Sequence, residues 1–274
     1  MRNNKIVRKL FEATRLHSLK QATKDNTVLM QNLRDIVPDI SDQYTNLLVN
    51  TEYLEINLRA MHCFQISLAY RYLCERLKCS QNGSGEARGA ISLLDIGDSS
   101  GTHALYLKSL NFKTNFNHCS VNIDPIAVDK IKSKNLKAIC ANAEDMIQEM
   151  QFCNKTALLM FQVLEHIENP ISFLKDAREK KNIKAIVLTV PYLKHSRIGL
   201  HALRKGKDES IEDKHIFELS AGDWKLLFKH CGWKVAYEDI YYQYPRRSLL
   251  RWFWKWFWTR FDYEGFYGVI LEKE

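Results

Sequence analysis

Leu93-Leu94-Asp95-Ile96-Gly97-Asp98-Ser99-Ser100-Gly101-Thr102-His103 joins a short apolar run to a helix-forming one through a turn of small residues. A buried strand that ends in such a turn and opens a helix lets a ligand approach the backbone closely. The unpaired amides of the helix N-terminus then face that ligand. A dinucleotide fingerprint would need glycine at 99 and 102, where this chain has Ser99 and Thr102, so pyrophosphate binding is disfavoured.

Working outward from this turn, short apolar runs alternate with helical segments. The runs Ile91–Ile96, Cys119–Ile123, Ala138–Cys140, Ala157–Phe161 and Ala185–Val190 read as strands, with helices near 102–110, 126–134, 144–150 and 170–180. Strands alternating with helices imply βαβ units and a parallel sheet covered on both faces. A last helix opens at Ser220, in the capping-box-like Ser220-Ala221-Gly222-Asp223, and Gly232 suits its C′ position. Two further β-rich segments follow, Trp233–Tyr242 and Phe266–Glu272.

Upstream, three of the eleven glycines cluster in 81–89, which reads as a linker. Before it, 4–22 and 52–78 carry apolar residues at helical spacing (Leu10, Phe11 and Leu16; Leu58, Met61, Phe64, Leu68 and Tyr72). The expected organisation is a helical N-terminal region over 1–89 and an α/β domain over 90–274.

The ends of the remaining strands carry the chemistry. Asp124 closes the second, about 20 residues beyond the glycine turn, where a carboxylate can grip both ribose hydroxyls. The third runs into Asn142-Ala143-Glu144-Asp145, where an amide or acid can meet the exocyclic amine of an adenine. The fourth ends in Phe161-Gln162-Val163-Leu164-Glu165-His166. In this order the signals resemble the class I S-adenosylmethionine-dependent methyltransferases, with their D-x-G-x-G-x-G turn, acid after strand two, D-A-E-D-like segment and V-L-E-H. The resemblance covers roughly 91–190 and continues more weakly through 220–272. It implies a Rossmann-like, doubly wound, mostly parallel sheet with an antiparallel last strand, placed at Tyr267–Glu272.

The resemblance also implies S-adenosylmethionine as cofactor, held by Asp95, Gly97, Asp98, Ser99, Gly101, Asp124, Asn142 and Ala143, with Phe161 and Gln162 walling the methyl-donor pocket. Two positions depart from the pattern: Ser99 replaces the middle glycine, and Asn142 keeps an acceptor but loses a charge. A degenerate, non-catalytic binding protein with this fold is the rival reading. His166, His195 and His215 are the candidate bases on the substrate side, although Glu165 and His166 also suit a purely loop-shaping role. No His/Asp/Glu cluster at ligand spacing stands in the sequence, so no metal centre is expected.

Composition narrows the class further. The 274 residues are 46% hydrophobic and 26% charged, an ordinary globular balance. The longest uninterrupted apolar run, Ala157 to Phe161, is far short of the ~20 residues of a membrane span. The first twenty residues lack the apolar core of a secretory signal. Seven cysteines, an odd number with no C-x-x-C pair, suit a reducing compartment and a cytoplasmic protein. The net charge of +8 admits an anionic partner without choosing one.

The least ordinary segment is 246–261, Arg-Arg-Ser-Leu-Leu-Arg-Trp-Phe-Trp-Lys-Trp-Phe-Trp-Thr-Arg-Phe, inside an insertion spanning about 244–262. As a helix it places Leu250, Phe253, Trp254, Phe257, Trp258 and Phe261 on one face and Arg247, Arg251 and Lys255 on another. That pattern fits a lid packed on the N-terminal helices, a peripheral contact with the inner face of a membrane, or base stacking in a nucleic-acid groove. The absence of a standard RNA-binding module disfavours the last. A small-molecule, lipid-linked or glycan acceptor is therefore expected ahead of RNA.

Overall fold

The structure is a computed structural model that describes residues 5–24, 27–38, 52–81, 91–110, 116–149, 155–198, 215–261 and 263–274. The expected linker, apart from Gln81, lies outside the described residues. Strands β1 (Ile91–Ile96), β2 (Phe116–Asn122), β3 (Ala138–Cys140), β4 (Thr156–Phe161) and β5 (Ile183–Tyr192) pair in parallel. A separate two-stranded ribbon joins β6 (Arg197–Ile198) to β7 (Phe217–Glu218). After it, β8 (Trp233–Tyr242) is antiparallel to β9 (Gly265–Lys273), and β9 is antiparallel to β5, which gives the order β3-β2-β1-β4-β5-β9-β8. The mostly parallel, doubly wound sheet with an antiparallel end is thus present as the motifs implied.

Alternation along the central strands divides their side chains between two apolar layers. Leu93, Ala157, Leu159, Ala185 and Val187 face one core, and Leu94, Leu158, Met160, Ile186 and Leu188 the other. The second core is covered by α6 (Ala143–Glu149), α7 (Pro170–Glu179) and α8 (Ala221–His230), through Met146, Phe173, Leu174, Trp224 and Phe228. The first is covered by α4 (Thr102–Ser109) and by α3 (Glu52–Gln81), whose Phe64, Leu68 and Tyr72 lie in the same cluster as the sheet residues. A Cβ added at Gly268 of β9 would stand 2.4 Å from Leu68 Cδ1 and 2.7 Å from Phe64 Cζ. Helices α2 and α3 are therefore one layer of the α/β core. Arg59 of α3 is buried with its charge shared among the Val37 and Pro38 carbonyls and Glu55, which ties α3 to the end of α2 (Thr27–Ile36).

The helix boundaries follow local chemistry. Asp124 caps α5 (Pro125–Ser133) by accepting the Ile126 amide, with Pro125 pre-set at the first turn. Asn169 caps α7 and Ser220 caps α8, each through a side-chain oxygen. Gly232 ends α8 in the left-handed region.

The insertion is a helix, α9 (Arg251–Phe261). Trp254, Phe257 and Trp258 are buried, with Phe11 of α1 (Lys5–Ala22), Tyr53, Tyr242 and Tyr244 around them. Trp258 Nε1 donates to Ser18 Oγ at 2.9 Å, and Ser18 donates on to the Gln243 carbonyl. Leu250 and Phe253, expected on that same face, are instead exposed. Leu250 precedes the helix, and Phe253 is turned about 100° away from Trp254, onto a second face with Trp252 and Trp256.

Candidate functional site

All the candidate cofactor residues lie at the carboxyl edge of the parallel strands. The turn after β1 needs glycine twice. Gly97 and Gly101 have φ of 82° and 77°, and a Cβ at Gly97 would meet Val163 Cγ2 at 2.4 Å. Asp98, 2% exposed, braces the turn from inside. Its Oδ1 accepts the Ser100 and Gly101 amides, and its Oδ2 accepts Ser120 Oγ at 2.6 Å. The chain's own carboxylate therefore occupies the amide cradle at the start of α4. This is the physical reason that a phosphate does not suit the turn. Asn122 Nδ2 adds a bond to the Asp98 carbonyl, while Ser99 is half-buried at the apex.

Beneath the turn runs a buried polar chain. Asp95 Oδ2 is 2.9 Å from His103 Nδ1 and 3.4 Å from His118 Nε2. His103 Nε2 meets Gln65 Oε1, and Gln65 Nε2 donates to Thr189 Oγ1, which also accepts Gln162 Nε2. Burial alone would raise the Asp95 pKa, but the His103 charge and the hydrogen bonds from both histidines carry it well below the usual carboxylate range. The same partner overcomes burial and raises His103. His62 of α3 stands edge-on to His103; burial, then the His103 and Arg59 charges, hold it well below the ordinary histidine value. Gln65 and His62 escaped the sequence reading. Their one signal was the presence of polar residues within an otherwise apolar stretch of α3.

After the end of β2, Asp124 caps α5 through Oδ1 alone. Ile123 and Ile126 flank it as exposed apolar side chains. At the start of α6, Asn142 Oδ1 accepts the Glu144 and Asp145 amides, so this residue is an Asx cap with only its amide nitrogen left for a ligand; Ala143 beside it is half-buried.

The end of β4 turns sharply. Gln162 has φ of 60°, a left-handed conformation that non-glycine residues adopt mainly where neighbours enforce it. Phe161 packs edge-on against His103. A short 3-10 turn, Leu164–His166, follows. Glu165 within it is 0% exposed, and neither carboxylate oxygen has a hydrogen-bond partner. Burial pushes its carboxyl up to about 7, although His215 pulls it down.

The Ile216 amide donates to the Glu165 carbonyl and stitches the segment before β7 onto this turn. His215 is thereby brought to His166, with ring centroids 4.7 Å apart, although 49 positions separate them in the chain. His215 Nδ1 lies 3.1 Å from Glu218 Oε1 and 2.9 Å from Tyr263 Oη. His195 is exposed on the bend after β5, outside this cluster. Glu218 and Tyr263 were not legible as site residues, since tertiary packing alone places them there.

The register also locates α9. Tyr192 of β5 pairs with Gly265 of β9, and Gly265 with Tyr242 of β8. The β8–β9 crossing that carries α9 therefore stands at the same carboxyl edge, with Tyr242 edge-on to Tyr192.

No family model matches the chain, and no curated protein does. Solved structures do, at the level of fold. Burkholderia thailandensis 1,6-didemethyltoxoflavin-N1-methyltransferase, with bound 1,6-didemethyltoxoflavin and S-adenosylhomocysteine, aligns with a TM-score of 0.51 and 11% identity, over 91% of this chain and 89% of that one. The 4+2 cyclase SpnF aligns at 0.52 and 11%, over 93% and 96%. A SAM-dependent methyltransferase from Leishmania major aligns at 0.50 and 12%, over 89% and 81%. The chain has the fold of the SAM-dependent methyltransferases, a fold that also hosts a cyclase, so the reaction has to be argued from the site.

Proposed function

We propose that this protein is an S-adenosylmethionine-dependent methyltransferase whose acceptor is a lipid-linked small molecule met at an anionic membrane surface. The observation that carries the cofactor reading is the pairing of two left-handed glycines after β1 with a carboxylate just beyond β2 that uses only Oδ1 for its own helix cap. In this reading Asp124 takes the ribose hydroxyls, the two glycines let the cofactor's amino-acid end pass close to the turn after β1, and the Asn142 amide, Ala143, Ile123 and Ile126 surround the adenine. When bound, the cofactor supplies a methyl group already activated by its sulfonium charge. The chain's task is then to hold the acceptor at about 3–3.5 Å from that carbon and to keep water out. The Asp95–His103–Gln65–Thr189–Gln162 chain fixes the floor of the cleft, and Phe161 supplies an apolar wall.

Support for the acceptor class comes from α9. It seals one face on α1 and leaves Trp252, Phe253 and Trp256 exposed, at 72%, 45% and 58%, beside Arg247, Arg251 and Lys255. No described helix is long and apolar enough to cross a membrane. Aromatic side chains with cations alongside suit insertion at an interface instead.

Calorimetry should give one site for S-adenosylmethionine and for S-adenosylhomocysteine, and none for NADH; equal binding of NADH overturns the cofactor reading. The intact protein should float with anionic vesicles, release in high salt and ignore neutral vesicles. Failure to float removes the membrane reading and returns the acceptor to a soluble small molecule or glycan. Salt-sensitive capture by RNA in place of vesicles would select the nucleic-acid alternative.

A further inference from the structure

We propose that Glu165, His166 and His215 form a binding site for a divalent first-row transition ion, with His215 oriented by Glu218 and Tyr263. One ligand atom from each of the three residues lies within 4.8 Å of the others. A tetrahedral ion with bonds of ~2.1 Å holds its ligand atoms about 3.4 Å apart, so modest rotation of the side chains closes the set.

Proximity alone would not make a site. The second observation is Glu165 itself, a fully buried carboxylate at this cluster with both oxygens unpartnered. Isolated burial of a carboxylate costs several kcal/mol, and a chain relieves it by taking up a proton or with a hydrogen bond, a cation or a metal; here no hydrogen bond is made. The third observation is the outer support. Glu218 is 2% exposed, its Oε1 lies against His215 Nδ1, and Tyr263 Oη contacts both. A metal-bound imidazole characteristically gives its other nitrogen to a carboxylate, which fixes the tautomer and leaves Nε2 for the ion.

Two imidazoles and one carboxylate suit Zn²⁺, Mn²⁺ or Fe²⁺ rather than Mg²⁺ or Ca²⁺, which favour all-oxygen shells. Three protein ligands also leave coordination positions open to an oxygen of a bound molecule. If the methyltransferase reading holds, that molecule is the acceptor, since the cluster sits at the ligand-binding edge of the sheet.

The test uses the whole chain, stripped with chelator and titrated with Zn²⁺, and with Co²⁺ for its absorption bands. One equivalent should bind, the cobalt spectrum should report nitrogen ligation, and Tm should rise. Glu165→Gln and His215→Asn should each weaken binding at least tenfold and abolish the Tm rise. Both variants should still bind S-adenosylhomocysteine as wild type does, which shows that they are folded and separates this inference from the cofactor reading. Glu218→Gln should weaken zinc binding about tenfold. Absence of stoichiometric binding to the wild type, or unchanged affinity in folded Glu165→Gln, overturns the proposal.

Discussion

Two clusters of acids and histidines stand at the carboxyl edge of the sheet, and they differ in how far the chain satisfies them. Asp95, Asp98 and His103 under the glycine turn are close enough together to hold an ion, as are Glu165, His166 and His215. In the first cluster Asp98 accepts three bonds from the turn and from Ser120, and His103 is held at both nitrogens. In the second, Glu165 has no partner at either oxygen. The first is largely satisfied by the chain, with Asp95 Oδ1 its one carboxylate oxygen lacking a partner, and its polar groups orient backbone for a ligand. The second leaves both oxygens of a buried carboxyl group without a hydrogen bond, as a site completed from outside would. Low dielectric strengthens the satisfied network and penalises the unsatisfied one, so identical side-chain types serve opposite purposes.

The scaffold side is the easier to break. Gly97→Ala should cost about 3–4 kcal/mol, from a left-handed φ without glycine and a Cβ driven into Val163, and should remove S-adenosylhomocysteine binding. Urea unfolding measures the first effect and calorimetry the second; near-wild-type stability would show that the turn is not rigid.

Asp124→Ala should weaken S-adenosylmethionine binding by about 1.5–3 kcal/mol, and losing the α5 cap should cost about 1 kcal/mol of stability. Asp124→Asn keeps an oxygen for the cap, so it should retain stability while still losing affinity. If both variants bind normally, the free oxygen of Asp124 does not serve the ribose.

The pH dependence sharpens the comparison. The raised His103 pKa adds stability that is present below the ordinary value of 6.5 and is lost as pH rises through the folded value. The lowered Asp95 pKa adds stability that is present above 3.8 and is lost as pH falls through the folded value. Stability from this pair is therefore greatest between those two values and declines on either side. In His103→Gln both declines should flatten in denaturant titrations across roughly pH 3–9; unchanged curves would show that the pair is not ionised.

The smallest effect belongs to the rim. Replacing Trp252, Phe253 and Trp256 together with serine should leave stability within about 0.5 kcal/mol, because these side chains are exposed, yet abolish vesicle flotation. Trp258→Ala, which empties a buried position hydrogen-bonded to Ser18, should instead cost about 3–5 kcal/mol. A destabilised triple variant would move those three residues from the membrane face to the packed one.

Much of this was legible in the chain itself. Periodicity, capping residues and the Gly97–Gly101 turn are local signals, so β1, β3 and β8 run over the residues the pattern marks, and α8 starts where Ser220 caps it. The alternation of strands and helices also carried the sheet's parallel core, because short βαβ connections leave few topologies, while its antiparallel end came from the family resemblance. What the sequence could not contain was proximity across long separations. Gln65 reaches His103, His215 reaches His166, and Ser18 reaches Trp258 only because α3, the segment before β7 and α1 are packed against the sheet edge. Nor could it say which aromatic face of α9 would be covered, since Trp254 and Phe253 are adjacent and equally apolar. Packing on α1 decided between them, and the unpaired carboxylate of Glu165 exists only once the segment before β7 has folded onto its turn.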